Sequence, residues 1–287
     1  MSYEESGNPL RGVEARPGSG HYGIFDHGAH IWAYQPDGAK PILWMSAQSQ
    51  FAEGKPIRGG VPIVFPWFAS GPDGTQQPPH GFGRTDTWHR SNVKDTIDQD
   101  GRLLIEYELD DAMTRGEGFD HQYTAYLRAK FTPEYLQISM MVTNDDDAPF
   151  TFESAFHTYL SVGDVRQISI DGLDGCAYLD KTGGASSLDA TQTGPLTITG
   201  ETDRVYQHAD AVTLHDPVLD RTLTISKTGS ANTVVWNPWV EKSAAMADFG
   251  DDEWTGMICI ETANVLGDAV TLRPGETHAM RQRIALG

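Results

Sequence analysis

Leu103-Leu104-Ile105-Glu106-Tyr107-Glu108-Leu109, Tyr123-Thr124-Ala125-Tyr126-Leu127-Arg128-Ala129-Lys130-Phe131 and Leu136-Gln137-Ile138-Ser139-Met140-Met141-Val142-Thr143 share one pattern. In the first two the odd positions are apolar. In the third the apolar residues at 136, 138, 140 and 142 alternate with 137, 139, 141 and 143. Side chains alternate across a strand, so each stretch gives one face to a core and one to water. Thr132-Pro133-Glu134 is a short turn between the last two, and the three read as a meander of antiparallel strands.

Outward from this meander, further short strands are expected at 150–161, 166–170, 221–226, 232–236, 257–262, 269–272 and 277–285. Turn residues separate them at Asn144-Asp145-Asp146-Asp147, Lys181-Thr182-Gly183-Gly184, Lys227-Thr228-Gly229 and Arg273-Pro274-Gly275-Glu276. Helical signals are confined to two turns at 241–249 and one at 110–117. The pattern predicts an all-β chain, a large antiparallel β-sandwich or barrel with few short helices. No repeat or long linker divides it, so residues 1–287 are expected to form a single domain.

Of the 287 residues 39% are apolar, enough for a sizeable core. The 21 basic and 40 acidic residues give a net charge of −19. That field repels polyanions, so neither nucleic acid nor an anionic membrane surface is an expected partner. An anionic small molecule can bind only where arginines locally overrule the charge. Cys176 and Cys259 have no C-x-x-C spacing and cannot make a disulfide framework. Met1-Ser2-Tyr3-Glu4-Glu5 has neither a basic n-region nor an apolar h-region. No apolar run approaches the roughly 20 residues of a spanning helix, so a cytoplasmic protein is expected.

Several residues are placed for chemistry. In 150–160, Phe150, Phe152, Phe156 and Leu160 fall on one strand face, and Glu153, His157 and Tyr159 on the other, as in a strand lining a cleft. An ordinary satisfied histidine fits His157 as well. Glu261 ends Met257-Ile258-Cys259-Ile260, a run apolar on both faces, as in a central strand. A carboxylate there is desolvated and becomes a better proton acceptor near neutral pH; a structural carboxylate with a buried partner is the alternative. Together His157 and Glu261 would supply acid and base if the fold sets them on opposite sides of one substrate.

Arg58 precedes Gly59-Gly60-Val61-Pro62-Ile63-Val64-Phe65-Pro66-Trp67-Phe68, whose prolines suit an edge or irregular segment. His80-Gly81-Phe82-Gly83-Arg84 repeats the theme, its glycines allowing close approach to a ligand. Guanidinium forks suit phosphate or carboxylate, although arginines in so acidic a chain commonly pair with Asp or Glu. Trp236-Asn237-Pro238-Trp239 offers a stacking wall for a sugar or core packing. The His27/His30 and His208/His215 pairs lack a convincing third ligand, and no metal site is expected.

Taken together these segments resemble the aldose 1-epimerase superfamily, and within it the hexose-6-phosphate mutarotases. The resemblance rests on Arg58 to Phe68, His80 to Arg84, Thr87-Trp88, Phe156-His157-Thr158-Tyr159 and Thr202-Asp203-Arg204-Val205-Tyr206. It continues through Val235 to Trp239, Met246-Ala247-Asp248-Phe249 and Cys259-Ile260-Glu261, in order over most of the chain. It implies a galactose mutarotase-like supersandwich with an open cleft. It implies His157 as the acid that protonates ring oxygen O5 and Glu261 as the base at the C1 hydroxyl. Arg58 and Arg84 would hold a 6-phosphate, Asp203 would bind sugar hydroxyls, and His80 would be a further substrate contact. One position departs: where family members often carry glutamine before His-Gly-Phe, this chain has Pro79, which offers no side-chain hydrogen bond.

The expectation is therefore an isomerase that interconverts the anomers of an aldohexose 6-phosphate, with glucose 6-phosphate favoured. It would need no cofactor, would take a small-molecule sugar phosphate as its partner and would act as a monomer. An aldose 1-epimerase of free hexoses and a non-catalytic carbohydrate-binding sandwich are the alternatives. A glycoside hydrolase would want a second catalytic carboxylate, and the sequence offers no strong pair.

Overall fold

The computed structural model describes residues 10–91, 97–114, 118–184, 188 and 190–287. The meander forms as the alternation requires. Leu103–Asp110, Tyr123–Phe131 and Tyr135–Asn144 are antiparallel neighbours, with Leu103 opposite Phe131 and Phe131 opposite Leu136. They lie in an eight-stranded back sheet, in the order Ser169–Asp171, Val212–Asp216, Arg221–Thr228, Thr277–Leu286, Tyr135–Asn144, Tyr123–Phe131, Leu103–Asp110, His89–Arg90.

A second eight-stranded sheet carries the candidate site. Its order is Ala190–Thr191, Ala177–Asp180, Thr202–Gln207, Asn232–Asn237, Met257–Asn264, Ser154–Phe156, Ile63–Val64, with Tyr159–Ser161 also paired to Met257–Asn264. One face of this sheet, with Phe156, Val235, Ile258 and Ile260, joins Ile105, Leu127 and Ile138 of the back sheet in the main apolar core. Gln282 of the back sheet donates to Thr158 Oγ1 across that interface at 2.6 Å. The result is the expected antiparallel sandwich, with a three-stranded sheet (Gly12–Ala15, His21–Phe25, Ile31–Gln35) beside it. Ile63–Val64 is the sheet's last strand, as the flanking prolines suggested.

Three expectations change. The stretch 150–161 is three strands: Phe150–Phe152 pairs only with Val270–Leu272, whereas Ser154–Phe156 and Tyr159–Ser161 join the site sheet. Glu153 makes the break. Its N–H donates to Pro66 O, and its carboxylate accepts Phe68 N at 2.8 Å and Leu266 N at 2.6 Å. Residues 166 and 167 lie in a turn closed on Asp164, and strand begins at Ser169. The helix expected at 241–249 is the shorter Trp239–Ala244, whereas the single turn expected at 110–117 is found at Asp111–Thr114. Residues 115–117 of the second expected helix, and the N-terminal residues 1–5, lie outside those described.

Candidate active site

Register determines which side chains meet. Residues directly opposite across antiparallel strands share a face. Cys259 lies opposite Tyr159 and Trp236, and Glu261 opposite Val234. Trp236 and Val234 lie opposite Asp203 and Val205. Lys181 donates its backbone N–H to Asp203 O, extending the row. The face opposite Ile258 and Ile260 therefore carries Tyr159, Trp236, Glu261, Asp203 and Lys181 together. Its other end is apolar, with Val64, Ala155, Val205, Val234 and Ala263 packed under Phe68.

His157 enters this face from the turn between Ser154–Phe156 and Tyr159–Ser161, where its N–H donates to Pro62 O. Its Nε2 lies 3.4 Å from Glu261 Oε1, and both side chains are almost fully buried. The pair is thus adjacent rather than set on opposite sides of a ligand. Burial, then the charges of Arg58 and Arg84, lower the His157 imidazole to about 3. Burial, reinforced by Asp203 and opposed by Lys181, pushes the Glu261 carboxyl well above its usual range. Both shifts favour the neutral form of each partner. Its Oε2 and His157 Nδ1 are buried with no hydrogen-bond partner among the described residues. Orphaned polar atoms of this kind are rare in folded proteins and need an explanation.

The two arginines differ. Arg58 is committed: it donates Nε and Nη2 to the Asp248 carboxylate at 3.2 Å each and Nη1 to Tyr159 Oη at 2.9 Å. Arg84 donates Nη2 to Pro79 O at 2.5 Å, has no carboxylate partner among the described residues, and leaves Nε unsatisfied. Burial, then Arg58, lowers its guanidinium to about 10, opposed by Tyr159 and Asp248. So the common fate of an arginine in an acidic chain applies to Arg58 alone. Pro79 supplies a carbonyl that holds Arg84.

His80 accepts Ala69 N on Nδ1 at 3.3 Å, which leaves Nε2–H as a donor, and its ring lies edge-on 5.8 Å from His157. Its left-handed φ of 67° is followed by Gly81 at 72°. A Cβ on Gly81 would stand 2.0 Å from Phe65 O, and one on Gly60 2.2 Å from Ile31 O. These glycines admit the chain's own backbone, not a ligand. Asp203 is mostly buried 3.6 Å from Lys181 Nζ, and burial raises its carboxyl while Lys181 pulls it down. Trp236 stands edge-on to His157 at 6.0 Å, whereas Trp239 packs on Trp254 at 4.3 Å. Trp236 is buried beside His157, and Trp239 is only partly buried.

All six sequence-derived candidates (His157, Glu261, Arg58, Arg84, Asp203 and His80) thus belong to one connected cluster. Glu153 does not, because its carboxylate is spent on two backbone amides. Lys181 was missed. Its signal was weak, a basic residue in a Gly-rich turn, and only the register places it beside Asp203. Among the described residues no three His, Cys, Asp or Glu side chains converge as a metal set. Among the described residues no helix is long and apolar enough to cross a membrane. Chemically the cluster offers a proton-transfer pair, an uncommitted guanidinium, a neutral imidazole donor and a carboxylate for hydroxyls.

Residues 14–285 match the family described as aldose 1-epimerase. A Cenchrus ciliaris protein named "Putative glucose-6-phosphate 1-epimerase" is 32% identical over 269 residues, covering 92% of this chain and 80% of its own length. An Escherichia coli K12 protein of the same name is 34% identical over 240 residues, covering 82% and 77%. The crystal structure of a Salmonella typhimurium protein described as a "putative mutarotase" superposes with a TM-score of 0.84 at 26% identity, over 100% of this chain and 97% of that one. A galactose mutarotase-like protein of Lactobacillus casei shares the fold, with a TM-score of 0.70 at 15% identity over 96% and 100%. The match runs nearly end to end, and the chain belongs to the aldose 1-epimerase family.

Proposed function

We propose that this protein interconverts the α and β anomers of an aldohexose 6-phosphate, glucose 6-phosphate foremost, with His157 and Glu261 moving the protons. The observation that carries this reading is the juxtaposition of that pair, 3.4 Å apart, with an arginine that has no carboxylate of its own among the described residues. The names of the sequence relatives point the same way.

Glu261 as carboxylate takes the C1 hydroxyl proton. The C1–O5 bond breaks, its electron pair goes to O5, and O5 receives the proton of His157. C1 is now an aldehyde. After rotation about C1–C2, O5 returns its proton to His157 as it attacks the other carbonyl face, and Glu261 protonates the C1 oxygen. O5 and the C1 hydroxyl are bonded to the same carbon, so adjacent acid and base suit this reaction better than groups facing each other across a ring. Asp203 and His80 Nε2–H take sugar hydroxyls, and Trp236 walls the pocket.

The proton inventory explains a role for the phosphate beyond anchoring. In the unliganded pair burial favours a protonated Glu261 and a neutral His157, whereas catalysis needs the proton on His157. A phosphate dianion on Arg84 and Arg58 would offset the arginine charges that, after burial, oppose the imidazolium, and so would favour the proton on His157. Well-placed general acids and bases each contribute about 10²–10⁴-fold. Mutarotation of freshly dissolved α-glucose 6-phosphate, followed by optical rotation, is expected to accelerate with wild-type protein. His157→Asn and Glu261→Gln should each lose about 10²-fold or more. Full activity in both variants would refute the assignment.

A further inference from the structure

Tyr159 has no step in the reaction above, yet it touches both ends of the cluster. Its ring lies parallel to the His157 imidazole, with centroids 4.8 Å apart and planes 12° apart. Trp44 also stacks with the Tyr159 ring at 5.7 Å and 22°, and Trp236 meets it edge-to-face at 6.0 Å. Its hydroxyl accepts Arg58 Nη1 at 2.9 Å. The backbone fixes the ring from both directions, with Tyr159 N–H donating to Gly60 O and Trp44 N–H donating to Tyr159 O. The residue is essentially inaccessible, and burial pushes its hydroxyl up, so it stays a neutral phenol.

We infer that Tyr159 is a positioning residue that joins the anion-binding end of the site to its proton-transfer end, its ring fixing the plane of His157 and its hydroxyl fixing the fork of Arg58. The inference rests on the mutarotase reading for its kinetic consequences and on the geometry alone for its structural one. The two contacts use different parts of the side chain. The ring sets where Nε2 points, and a catalytic group displaced by 1 Å can cost about 10²-fold in rate. The hydroxyl sets only where the guanidinium lies, since Asp248 holds the other two nitrogens. A hydrogen bond to a charged group is worth enough to shift affinity about tenfold.

The two jobs separate by substitution. Tyr159→Phe keeps the ring and deletes the acceptor. It is expected to raise KM for glucose 6-phosphate about tenfold, with kcat within roughly twofold and free-glucose exchange unchanged. Tyr159→Leu deletes the ring and should lower kcat on both sugars by about 10²-fold, a loss that Phe at this position restores. A second readout needs no substrate: the His157 ring resonances, shifted by the stacked phenol, should stay in place in Tyr159→Phe and move in Tyr159→Leu. Circular dichroism and the unfolding midpoint show that each variant is folded, and the near-isosteric Phe variant carries the test if Leu does not fold. An unchanged KM in Tyr159→Phe overturns the inference. So does a kcat in Tyr159→Phe as low as that of Tyr159→Leu, or His157 resonances indifferent to Leu. If wild-type protein accelerates neither sugar, the functional reading fails separately, and the resonances still decide the stacking role.

Discussion

His157 Nε2 stands 3.4 Å from Glu261 Oε1, one from an irregular turn and the other from the central strand that both flanking strands pair with. The rigid partner is Glu261, whose strand is buried throughout and paired on both sides. His157 is the partner that needs support, which it receives from Tyr159.

This pair makes the fold pay in stability for chemistry, with opposite pH signatures. The Glu261 carboxyl is raised in the folded protein and ionises near 4.5 in the unfolded chain. Its contribution is full below pH 4.5 and is lost as pH rises toward the folded value. His157 titrates at about 3 when folded and 6.5 when unfolded, so its contribution is full above pH 6.5 and is lost as pH falls toward 3. Glu261→Gln, fixed in the neutral form, should therefore melt several degrees above wild type at pH 8, with the gap closing toward pH 4.5. Calorimetry from pH 4 to 8 checks this, and a pH-independent gap contradicts it.

Arg84 is the arginine free to take an anion. Arg84→Met should weaken glucose 6-phosphate by about 10–100-fold, the worth of one or two charge-assisted hydrogen bonds. Exchange of free glucose should not fall, and rises if the Arg84 charge is what opposes the His157 imidazolium. Arg58→Met should also lose melting temperature, because it strands the partly buried Asp248. Titration calorimetry beside melting curves separates the two outcomes.

If the phosphate group also moves the proton onto His157, an unattached oxyanion should do the same for a sugar that lacks one. Exchange of xylose is expected to rise with added inorganic phosphite and to saturate, and Arg84→Met should abolish the rise. A response that is flat in phosphite contradicts the charge-cancelling role.

Glu153 tests the boundary of the site. Its carboxylate accepts two backbone amides, so Glu153→Ala should cost roughly 2–4 kcal/mol of stability. The kcat of the folded fraction should stay within about twofold of wild type. A large kcat loss in folded protein would return Glu153 to the catalytic set. Denaturant unfolding and initial rates on one preparation decide it.

Much of this was legible locally, and the rest was not for identifiable reasons. The 103–143 meander alternates because one sheet face meets core and the other water. His21–Phe25 did not read as a strand because four of its five residues are buried and no polar face marks a period of two. Thr202–Gln207 was hidden because Asp203 and Arg204 sit mid-strand, one in the candidate site and the other paired to Asp180. Glu261 stood out because a carboxylate ending a two-faced apolar run must be desolvated. Lys181 did not, because its meaning lies in a cross-strand neighbour 22 residues away in sequence.

The most direct test of the central claim is anomer exchange by NMR saturation transfer, on glucose 6-phosphate and free glucose in parallel, with wild-type and Glu261→Gln protein. The account predicts fast exchange of the phosphorylated sugar with wild type, much slower exchange of the free sugar, and near-background rates with Glu261→Gln. Equal acceleration of both sugars, or full activity in Glu261→Gln, would contradict it.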